Sequence, residues 1–381
     1  MQPAGCPRER AAGTSVFWNS LQVSRQAMNT FRQMIERGHE RVCFHHDPDT
    51  GLRAIIGIHS TRLGHALGGV RRWHYATEAD ALYDVLRLSQ AMTYKAAAAN
   101  LPMGGGKSVI LLPKSNHPTS EAEARAMGRF VDTLNGAYIA AADVGVETQF
   151  VDWMALETRH IMGGETACAG GDPAPHTALG TMNAMKACLA HRGLGPGFEG
   201  VTVAIQGVGN VGYSLARLLT EAGAEVMVAD INQSRVDQAV DEIGVKAVSA
   251  EEVLTTECDI LAPCALGGVI DANFARTLRC RIVAGAANNV LDDPDEDAAV
   301  LRRLGILYAP DFVVNAGGLI HLAGLYLGMS EDELQQKIAE IEHTTAQILR
   351  EAESMSSTHA AAIALAGCRI ACHCKEQVHA G

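Results

Sequence analysis

Residues 201–230 read VTVAIQGVGNVGYSLARLLTEAGAEVMVAD and decide the fold. An apolar run, a glycine-rich turn, an amphipathic segment and a second apolar run predict a strand, a turn, a helix and a strand. The turn has the spacing G-x-G-x-x-G, formed by Gly207, Gly209, Asn210, Val211 and Gly212. The three glycines allow a tight turn, a close approach of the backbone to a pyrophosphate, and close packing of the helix on the strand. The stretch therefore predicts a dinucleotide-binding turn.

An acidic residue ends the second predicted strand. Asp230 follows Gly212 by 18 residues, close to the spacing at which a carboxylate accepts hydrogen bonds from the adenosine ribose. The same charge repels a 2′-phosphate, so the sequence favours NAD over NADP. Arg235 is the one nearby residue that points towards NADP.

Further strands and helices alternate on both sides of this unit. Short apolar runs predict strands at 53–60, 108–112 and 137–142. Two capping boxes predict the starts of helices, one formed by Thr77 and Asp80 and the other by Ser330 and Glu333.

This alternation predicts an α/β protein of two domains. We place an N-terminal α/β domain at residues 1–165 and a doubly wound, Rossmann-type NAD-binding domain at 166–344. A C-terminal helical segment follows at 345–381, and the first ~15 residues form a loose lead-in.

Composition excludes several classes of function. The 381 residues include 43 acidic and 31 basic side chains, a formal net charge of −12. Nucleic acids and anionic membranes both require a basic face, so we expect neither as a partner. No apolar stretch approaches the ~18 residues of a membrane helix. Ten cysteines, in a chain without an apolar signal-peptide core at its start, predict reduced thiols and a cytoplasmic protein.

Three ionisable residues lie in nearly uncharged stretches. Lys95 stands in AMTYKAAAAN, Lys107 follows three glycines in LPMGGGKSVI, and Asp143 ends the apolar run YIAAAD. Apolar surroundings disfavour the charged form of a lysine, which can then act as a neutral base near pH 7. The set predicts a site for proton transfer.

Longer motifs occur in order from about residue 40 to about residue 350. They are LGGVR (67–71), MTYK (92–95), LPMGGGKSVI (101–110), QGVGNVG (206–212), APCALGGVI (262–270), AGAANN (284–289) and APDFVVNAGGLIH (309–321). Together they resemble the leucine/phenylalanine/valine dehydrogenases, amino-acid dehydrogenases related to glutamate dehydrogenase. The resemblance implies that the N-terminal domain binds substrate and forms a homo-oligomer, and that a cleft separates it from the NAD-binding domain.

The resemblance also implies roles for individual residues. Lys95 holds the α-carboxylate of the substrate, and Lys107 is the general base. Asp143 assists proton transfer and fixes the amino group, while Gly68 and Gly69 place their backbone against the substrate.

Four further positions match family segments near the cofactor. Asn288 and Asn289 match the segment that touches the nicotinamide ribose and the substrate. Thr177 and Asn315 match positions near the nicotinamide ring and its carboxamide. A hydride leaves Cα during such a reaction, so the substrate must be held with Cα close to the ring.

The side-chain pocket implied by the resemblance is apolar. Glutamate dehydrogenases carry a lysine before the glycine pair, where this sequence has Leu67, so glutamate is expected to be rejected. The matching pocket positions are Leu67, Met92, Ala141, Leu319 and Leu322. The motifs lean slightly towards phenylalanine as substrate, with leucine and valine left open, and Ala142 has no assigned effect.

Two other functions are compatible with the same sequence. The chain could be a related NAD enzyme acting on tryptophan or another specialised amino acid, or a non-catalytic NAD-binding regulator. The tail motif CRIACHC (368–374) lacks the C-x2-C spacing of a structural zinc site. We therefore expect free thiols on a terminal helix and no metal.

Overall fold

The structure is a computed structural model that describes residues 29–165, 171–195, 197–265 and 267–379, with side chains up to residue 372. The predicted lead-in, Cys6 and Cys168 lie outside the described residues. The predicted boundary after residue 165 borders the undescribed segment 166–170.

The first domain is built on a five-stranded sheet in the order β1-β2-β4-β3-β5. Its strands are β1 (Arg41–His46), β2 (Arg53–Ser60), β3 (Ala66–Trp73), β4 (Gly104–Leu111) and β5 (Tyr138–Ala142). Strand β2 pairs antiparallel with both β1 and β4, whereas β3 pairs parallel with β4 and β5. Strand β1 is therefore an edge strand.

Four helices surround this sheet. They are α1 (Thr30–Arg37), α2 (Glu78–Ala98), α3 (Glu121–Asp132) and α4 (Thr148–Ala155). One face of the sheet packs on α2 through Ile55, Val85 and Val109, and the other packs on α3 and α4 through side chains such as Phe130 and Phe150. Strands β2, β4 and β5 are buried on both faces, which explains why they read as continuous apolar runs.

Strand β4 begins earlier than the sequence predicted. It starts at Gly104 rather than at Ser108, because the three glycines form part of the strand. A Cβ on Gly105 would lie 2.0 Å from the backbone nitrogen of Thr93, and one on Gly104 would lie 2.1 Å from the carbonyl oxygen of Ser60. The glycines thus let helix α2 and a neighbouring strand approach β4 closely. Strands β1 and β3 were not predicted.

The second domain has a six-stranded, wholly parallel sheet in the order β11-β10-β9-β6-β7-β8. Its strands are β6 (Thr202–Gln206), β7 (Glu225–Ala229), β8 (Lys246–Ala247), β9 (Cys258–Pro263), β10 (Cys280–Val283) and β11 (Leu307–Tyr308). The order reverses at β6, the first strand of the unit that decides the fold. The predicted doubly wound α/β fold is confirmed.

Helices cover both faces of this sheet and connect the domains. They are α5 (Ala174–His191), α6 (Asn210–Glu221), α7 (Gln233–Ile243), α8 (Pro294–Arg303), α9 (Asp311–Val314), α10 (Gly317–Leu327), α11 (Glu331–Glu351) and α12 (Thr358–His379). Both predicted capping boxes are present, at the starts of α2 and α11. Helix α11 continues across residue 344, and α12 packs on α2 of the first domain. Within the part of the chain described, no helix is long and apolar enough to cross a membrane.

Candidate active site

A cleft of about 350 Å³ lies between the two domains. Residues from both sheets and from α2, α5, α9 and α10 line it. The sequence had predicted fifteen of them as site residues: Leu67, Gly68, Gly69, Met92, Lys95, Lys107, Ala141, Asp143, Thr177, Val211, Asn288, Asn289, Asn315, Leu319 and Leu322. The fold therefore brings together groups that are up to 255 residues apart in the chain.

The glycine pair on strand β3 lines one wall of the cleft with backbone atoms. A Cβ on Gly68 would lie 1.7 Å from the carbonyl oxygen of Gly106, and one on Gly69 would lie 2.7 Å from that of Ala142. The hydroxyl of Tyr138 donates to the carbonyl oxygen of Gly68 at 2.7 Å. Glycine is required at both positions because strands β4 and β5 leave no space for a side chain.

Lys107 and Asp143 form a buried ion pair in this cleft. Nζ of Lys107, on β4, lies 2.9 Å from Oδ2 of Asp143, the residue directly after β5. The guanidinium of Arg71, on β3, donates from Nε to the same oxygen at 2.9 Å. Only 7% of the Lys107 side chain and 20% of the Asp143 side chain are exposed. Two cations therefore share one carboxylate oxygen.

The environment shifts the pKa of both members of this pair. Burial lowers the pKa of Lys107, and its attraction to Asp143 only partly offsets this effect. Burial alone would raise the pKa of Asp143, but the charges of Lys107 and Arg71 outweigh it and leave that pKa below its usual value. The pair thus combines an ionised carboxylate with an amine that loses its proton more readily than an ordinary lysine.

Lys95 projects into the cleft from the last turn of α2. Burial lowers its pKa to about 8, although the charge of Asp311 acts in the opposite direction. Asp311 begins α9 and accepts a hydrogen bond from the backbone N–H of Val290 at 2.8 Å. At neutral pH Lys95 is therefore a cation whose pKa lies only slightly above the pH. Such a group is suited to pairing with the carboxylate of a ligand.

The remaining wall is apolar. Leu67, Met92, Ala141, Leu319 and Leu322 all line the cleft, as the resemblance implied. Further apolar side chains that were not predicted from the sequence join them, among them Leu88, Ala91 and Phe312. The first two lie four residues before Met92 and Lys95 on α2, so helical periodicity could have identified them.

The glycine-rich turn has the geometry that its sequence predicted. Gly207 has a φ of +94°, and a Cβ on Gly212 would lie 1.9 Å from the carbonyl oxygen of Gly207. A Cβ added to Gly209, the N-cap of α6, would have one neighbour within 4 Å, the Arg235 guanidinium at 3.6 Å. The start of α6 thus presents its backbone N–H groups to an accessible space, as a pyrophosphate requires.

Asp230 and Asn210 flank this turn. The carboxylate of Asp230 accepts hydrogen bonds from the backbone N–H groups of Val208 and Asn232, both at 2.8 Å. These bonds fix the carboxylate beside the turn and leave lone pairs for ribose hydroxyls. The side chain of Asn210 donates to Asp172 at 3.2 Å, so it contacts the segment that leads into α5. Asp230, Asn210 and the three glycines are not among the residues that line the cleft, whereas Val211 is.

Asn315 provides a direct test of whether the cleft fits a nicotinamide. Its Nδ2 donates to the carbonyl oxygen of Ala286 at 3.1 Å and to Oδ1 of Asn288 at 2.7 Å. Its own Oδ1 is buried and has no hydrogen-bond partner among the described residues. A buried acceptor without a donor is costly, and the carboxamide NH2 of nicotinamide supplies such a donor. The residues present therefore fit NAD.

Thr177 and Asn289 complete this end of the cleft. The hydroxyl of Thr177, on α5, donates to the carbonyl oxygen of Pro173 at 3.0 Å. Asn289 adopts a left-handed backbone with a φ of +52°, a conformation that asparagine tolerates better than most residues. Both line the cleft beside Asn288 and Asn315.

Sequence reasoning missed two charged residues of the cleft, Arg71 and Asp311. Both stand inside motifs of the family, LGGVR and APDFVVNAGGLIH. A charged residue within an apolar motif is itself a signal, and it could have singled out each of them.

Known proteins show where the chain belongs. Residues 39–160 match the profile of the Glu/Leu/Phe/Val dehydrogenase dimerisation domain, and residues 226–377 match that of the Glutamate/Leucine/Phenylalanine/Valine dehydrogenase domain. The chain belongs to the glutamate/leucine/phenylalanine/valine dehydrogenase family. Residues 181–266 also match the NAD-binding domain of the D-isomer specific 2-hydroxyacid dehydrogenases, in agreement with the Rossmann-type unit.

Individual relatives of this family cover most of the chain. Leucine dehydrogenase from Geobacillus stearothermophilus is 44% identical over 315 residues, which are 82% of this chain and 85% of that protein. Phenylalanine dehydrogenase from Lysinibacillus sphaericus is 41% identical over 320 residues, 82% and 84% of the two chains. The crystal structure of L-tryptophan dehydrogenase from Nostoc punctiforme superposes with a TM-score of 0.80 at 38% identity, covering 91% of this chain and 99% of that one.

These relatives confirm the predicted family, activity class and cofactor. The chain is an NAD-dependent amino-acid dehydrogenase, an oxidoreductase. Because relatives named for three different substrates share nearly the same identity with it, these percentages do not identify its amino acid.

The cysteine-rich tail lies away from this cleft. Cys368 and Cys372 stand one turn apart on the exposed side of α12. No group of three or more His, Cys, Asp or Glu residues that could hold a metal ion occurs in the part of the chain that the structure describes. The side chains of His373 and Cys374, part of the tail motif, lie outside the described part of the chain.

Proposed function

We propose that this dehydrogenase oxidatively deaminates an L-amino acid with a hydrophobic side chain, giving the 2-oxo acid and ammonia, in a reversible reaction. Phenylalanine, leucine and valine are the candidate substrates. The apolar wall around Leu67 carries this proposal. Leu67 is only 1% exposed and stands directly before the glycine pair, so it offers a substrate side chain no charge.

The charges of the cleft suit the α-carboxylate and the amino group. Lys95 would hold the carboxylate, because it is a cation in a cleft lined by apolar side chains. Pairing with a second carboxylate would return its pKa towards the ordinary lysine value. The backbone of Gly68 and Gly69 would then lie along the substrate, and its side chain would face Met92 and Leu322.

Lys107 and Asp143 would move the protons. When bound, NAD accepts the hydride that leaves Cα, and the residues Asn315, Thr177 and Asn288 would hold its nicotinamide end. Neutral Lys107 would take a proton from the water that attacks the imine carbon. Asp143 would then carry protons to and from the departing nitrogen. Closure of the two domains on the cleft would exclude other water from the site.

The activity is tested by initial rates of NAD reduction with L-phenylalanine, L-leucine, L-valine, L-tryptophan and L-glutamate. We expect turnover with a hydrophobic substrate and none with glutamate. Lys107→Ala should lose activity by roughly 10²- to 10⁴-fold, the range of general-base catalysis, while NAD binding measured by calorimetry is retained. A preference for tryptophan would support the second candidate function.

Specificity is tested at Leu67. Leu67→Lys places a cation where a glutamate side chain would need it, so glutamate turnover should appear and hydrophobic substrates should react at least about tenfold more slowly. Leu67→Met, which keeps an apolar side chain of similar volume, is the matched control and should keep the wild-type preference. Wild-type protein that is inactive with all five amino acids would contradict the proposal and favour an unusual amine as substrate or a regulatory NAD-binding role.

We also propose that the protein is a homo-oligomer in the cytoplasm. The match of residues 39–160 to a domain described as a dimerisation domain supports association through the first domain. No nucleic acid or membrane partner is part of the proposal.

A further inference from the structure

Arg71 connects the catalytic pair to a second carboxylate. Its Nε donates to Oδ2 of Asp143 at 2.9 Å, and its Nη1 donates to Oδ2 of Asp84 at 3.0 Å. The side chains of Arg71, Asp143 and Asp84 are 21%, 20% and 15% exposed, so this chain of charges is largely shielded from water. Arg71 also lines the substrate cleft.

Asp84 is itself firmly held. Its Oδ2 accepts a hydrogen bond from the hydroxyl of Tyr75 at 2.8 Å, and its Oδ1 accepts one from Nη2 of Arg87 at 3.1 Å. It lies on α2, three turns before Lys95. The helix that carries the carboxylate-binding lysine therefore also carries the anchor of Arg71.

The two cations that reach Asp143 approach it from one side. Lys107 and Arg71 both contact Oδ2, each at 2.9 Å. Both contacts use Oδ2, so they restrict the rotation of the carboxylate and leave Oδ1 uninvolved. Oδ1 is then the oxygen that can meet the amino group of a substrate in the cleft.

We propose that Arg71, anchored by Asp84, is a positioning residue for the dehydrogenase reaction, which orients Asp143 towards the substrate amine and holds Lys107 in place as the base. The inference rests on the function proposed above. Arg71 acts through Asp143 and Lys107 and is not itself a catalytic residue.

Charge gives this positioning a measurable signature. Arg71 lowers the pKa of Lys107 and that of Asp143, whereas Asp84 raises the pKa of Lys107. Asp143 after β5, Arg71 from β3, and Asp84 and Lys95 from α2 act on Lys107 directly. Around them, Tyr75 and Arg87 contact Asp84, and Asp311 from α9 acts on Lys95. Loss of Arg71 should raise the pKa of Lys107, and loss of the charge on Asp84 should lower it.

The neighbouring Arg72 offers a matched control. Successive side chains of a strand point to opposite faces, and Arg72 pairs with Glu123 of α3 at 2.9 Å, on the far side of the sheet. It is also buried and bonds to the carbonyl oxygens of His117 and Pro118. Arg72→Lys therefore perturbs a buried arginine of the same strand without touching the cleft.

The experiment compares Arg71→Gln, Arg71→Lys, Asp84→Asn and Arg72→Lys. For Arg71→Gln we expect kcat to fall by about 10- to 100-fold, with NAD affinity unchanged. We also expect the rising limb of the kcat/KM profile, which reports deprotonation of Lys107, to move to higher pH. Arg71→Lys keeps the charge but reaches one carboxylate instead of two, so the limb should stay in place while kcat falls less. Asp84→Asn should move the limb to lower pH, and Arg72→Lys should leave it unchanged.

A second readout does not need turnover. Acetylation of Lys107 by acetic anhydride, followed by mass spectrometry across pH, reports its protonation directly, and its midpoint should rise in Arg71→Gln and fall in Asp84→Asn. Unchanged midpoints in both variants, or an equal loss of kcat in Arg71→Gln and Arg72→Lys without any shift, would overturn the inference. If the wild-type protein were inactive with every amino acid, the proposed function would fail, while the acetylation midpoints would still decide the role of Arg71.

Discussion

At the scale of the residue, Lys95 shows the conflict between stability and binding. Burial disfavours its ammonium form, yet the carboxylate of a substrate needs that form. The pKa of Lys95 is about 8 in the folded protein, compared with 10.5 for an ordinary lysine. Below pH 8 the ligand-free fold therefore holds a charged Lys95 at a higher free energy than the unfolded chain does. Linkage puts this cost at up to about 3 kcal/mol of the free energy of unfolding.

Lys95→Met should therefore stabilise the free protein while abolishing substrate binding. Between pH 8 and 10.5 the unfolded chain binds the proton at Lys95 more tightly than the fold does, so wild-type stability rises with pH across this window. The advantage of the variant should be largest at pH 7 and vanish near pH 10.5. Urea denaturation without ligands at both pH values measures it, and an advantage that is the same at both would contradict this account.

At the scale of the element, β4 and α2 are closely fitted at the cleft. Gly105 on β4 lets α2 approach, and the two elements supply Lys107 and Lys95. A change in their separation therefore alters the distance between the two lysines as well as the packing.

Gly105→Ala should force this pair apart. Its Cβ would lie 2.0 Å from the backbone nitrogen of Thr93, which is buried in α2, so the helix must shift. We expect a loss of about 1–3 kcal/mol in the free energy of unfolding, together with a higher KM for the amino acid. Gly197→Ala is the control, since nothing lies within 4 Å of the added Cβ, and its effect should stay within about 0.5 kcal/mol. Equal stabilities of the two variants would disprove the fitted-pair explanation.

The sequence predicted the parts of the site that depend on local pattern. The turn from Gly207 to Gly212 and the acid Asp230 follow a spacing set by strand and helix geometry, and the capping boxes need only four residues each. The place of the glycines inside β4 was missed because it depends on contacts with α2 and β2, which no local pattern records. The bond from Arg71 to Asp84 was missed for a related reason, since thirteen residues separate a strand from the helix it meets only in the fold.

At the scale of the whole molecule, the first sheet ends in an exposed edge. Strand β1 pairs only with β2 in its sheet, and its Phe44 is 52% exposed. An open edge with an apolar side chain readily pairs with another strand. This edge belongs to residues 39–160, the range that matches a dimerisation domain.

Phe44→Glu should weaken self-association for that reason. We expect a lower mass by light scattering after gel filtration, with the shift growing on dilution. Ile231→Glu, at a residue of the second domain that is 98% exposed, is the control and should keep the wild-type mass. An unchanged mass for Phe44→Glu would place the interface elsewhere on the molecule.

The docking of α12 on α2 fixes an order of events during synthesis. Arg369 donates hydrogen bonds to the carbonyl oxygens of Ala97 and Ala98, which end the helix that carries Lys95. A ribosome that adds roughly 5–20 residues per second needs about 14–54 s to travel the 271 residues from Ala98 to Arg369. During that time the helix that carries Lys95 lacks the two hydrogen bonds that Arg369 donates to its last turn, so the first domain completes its active-site helix only after α12 has been made.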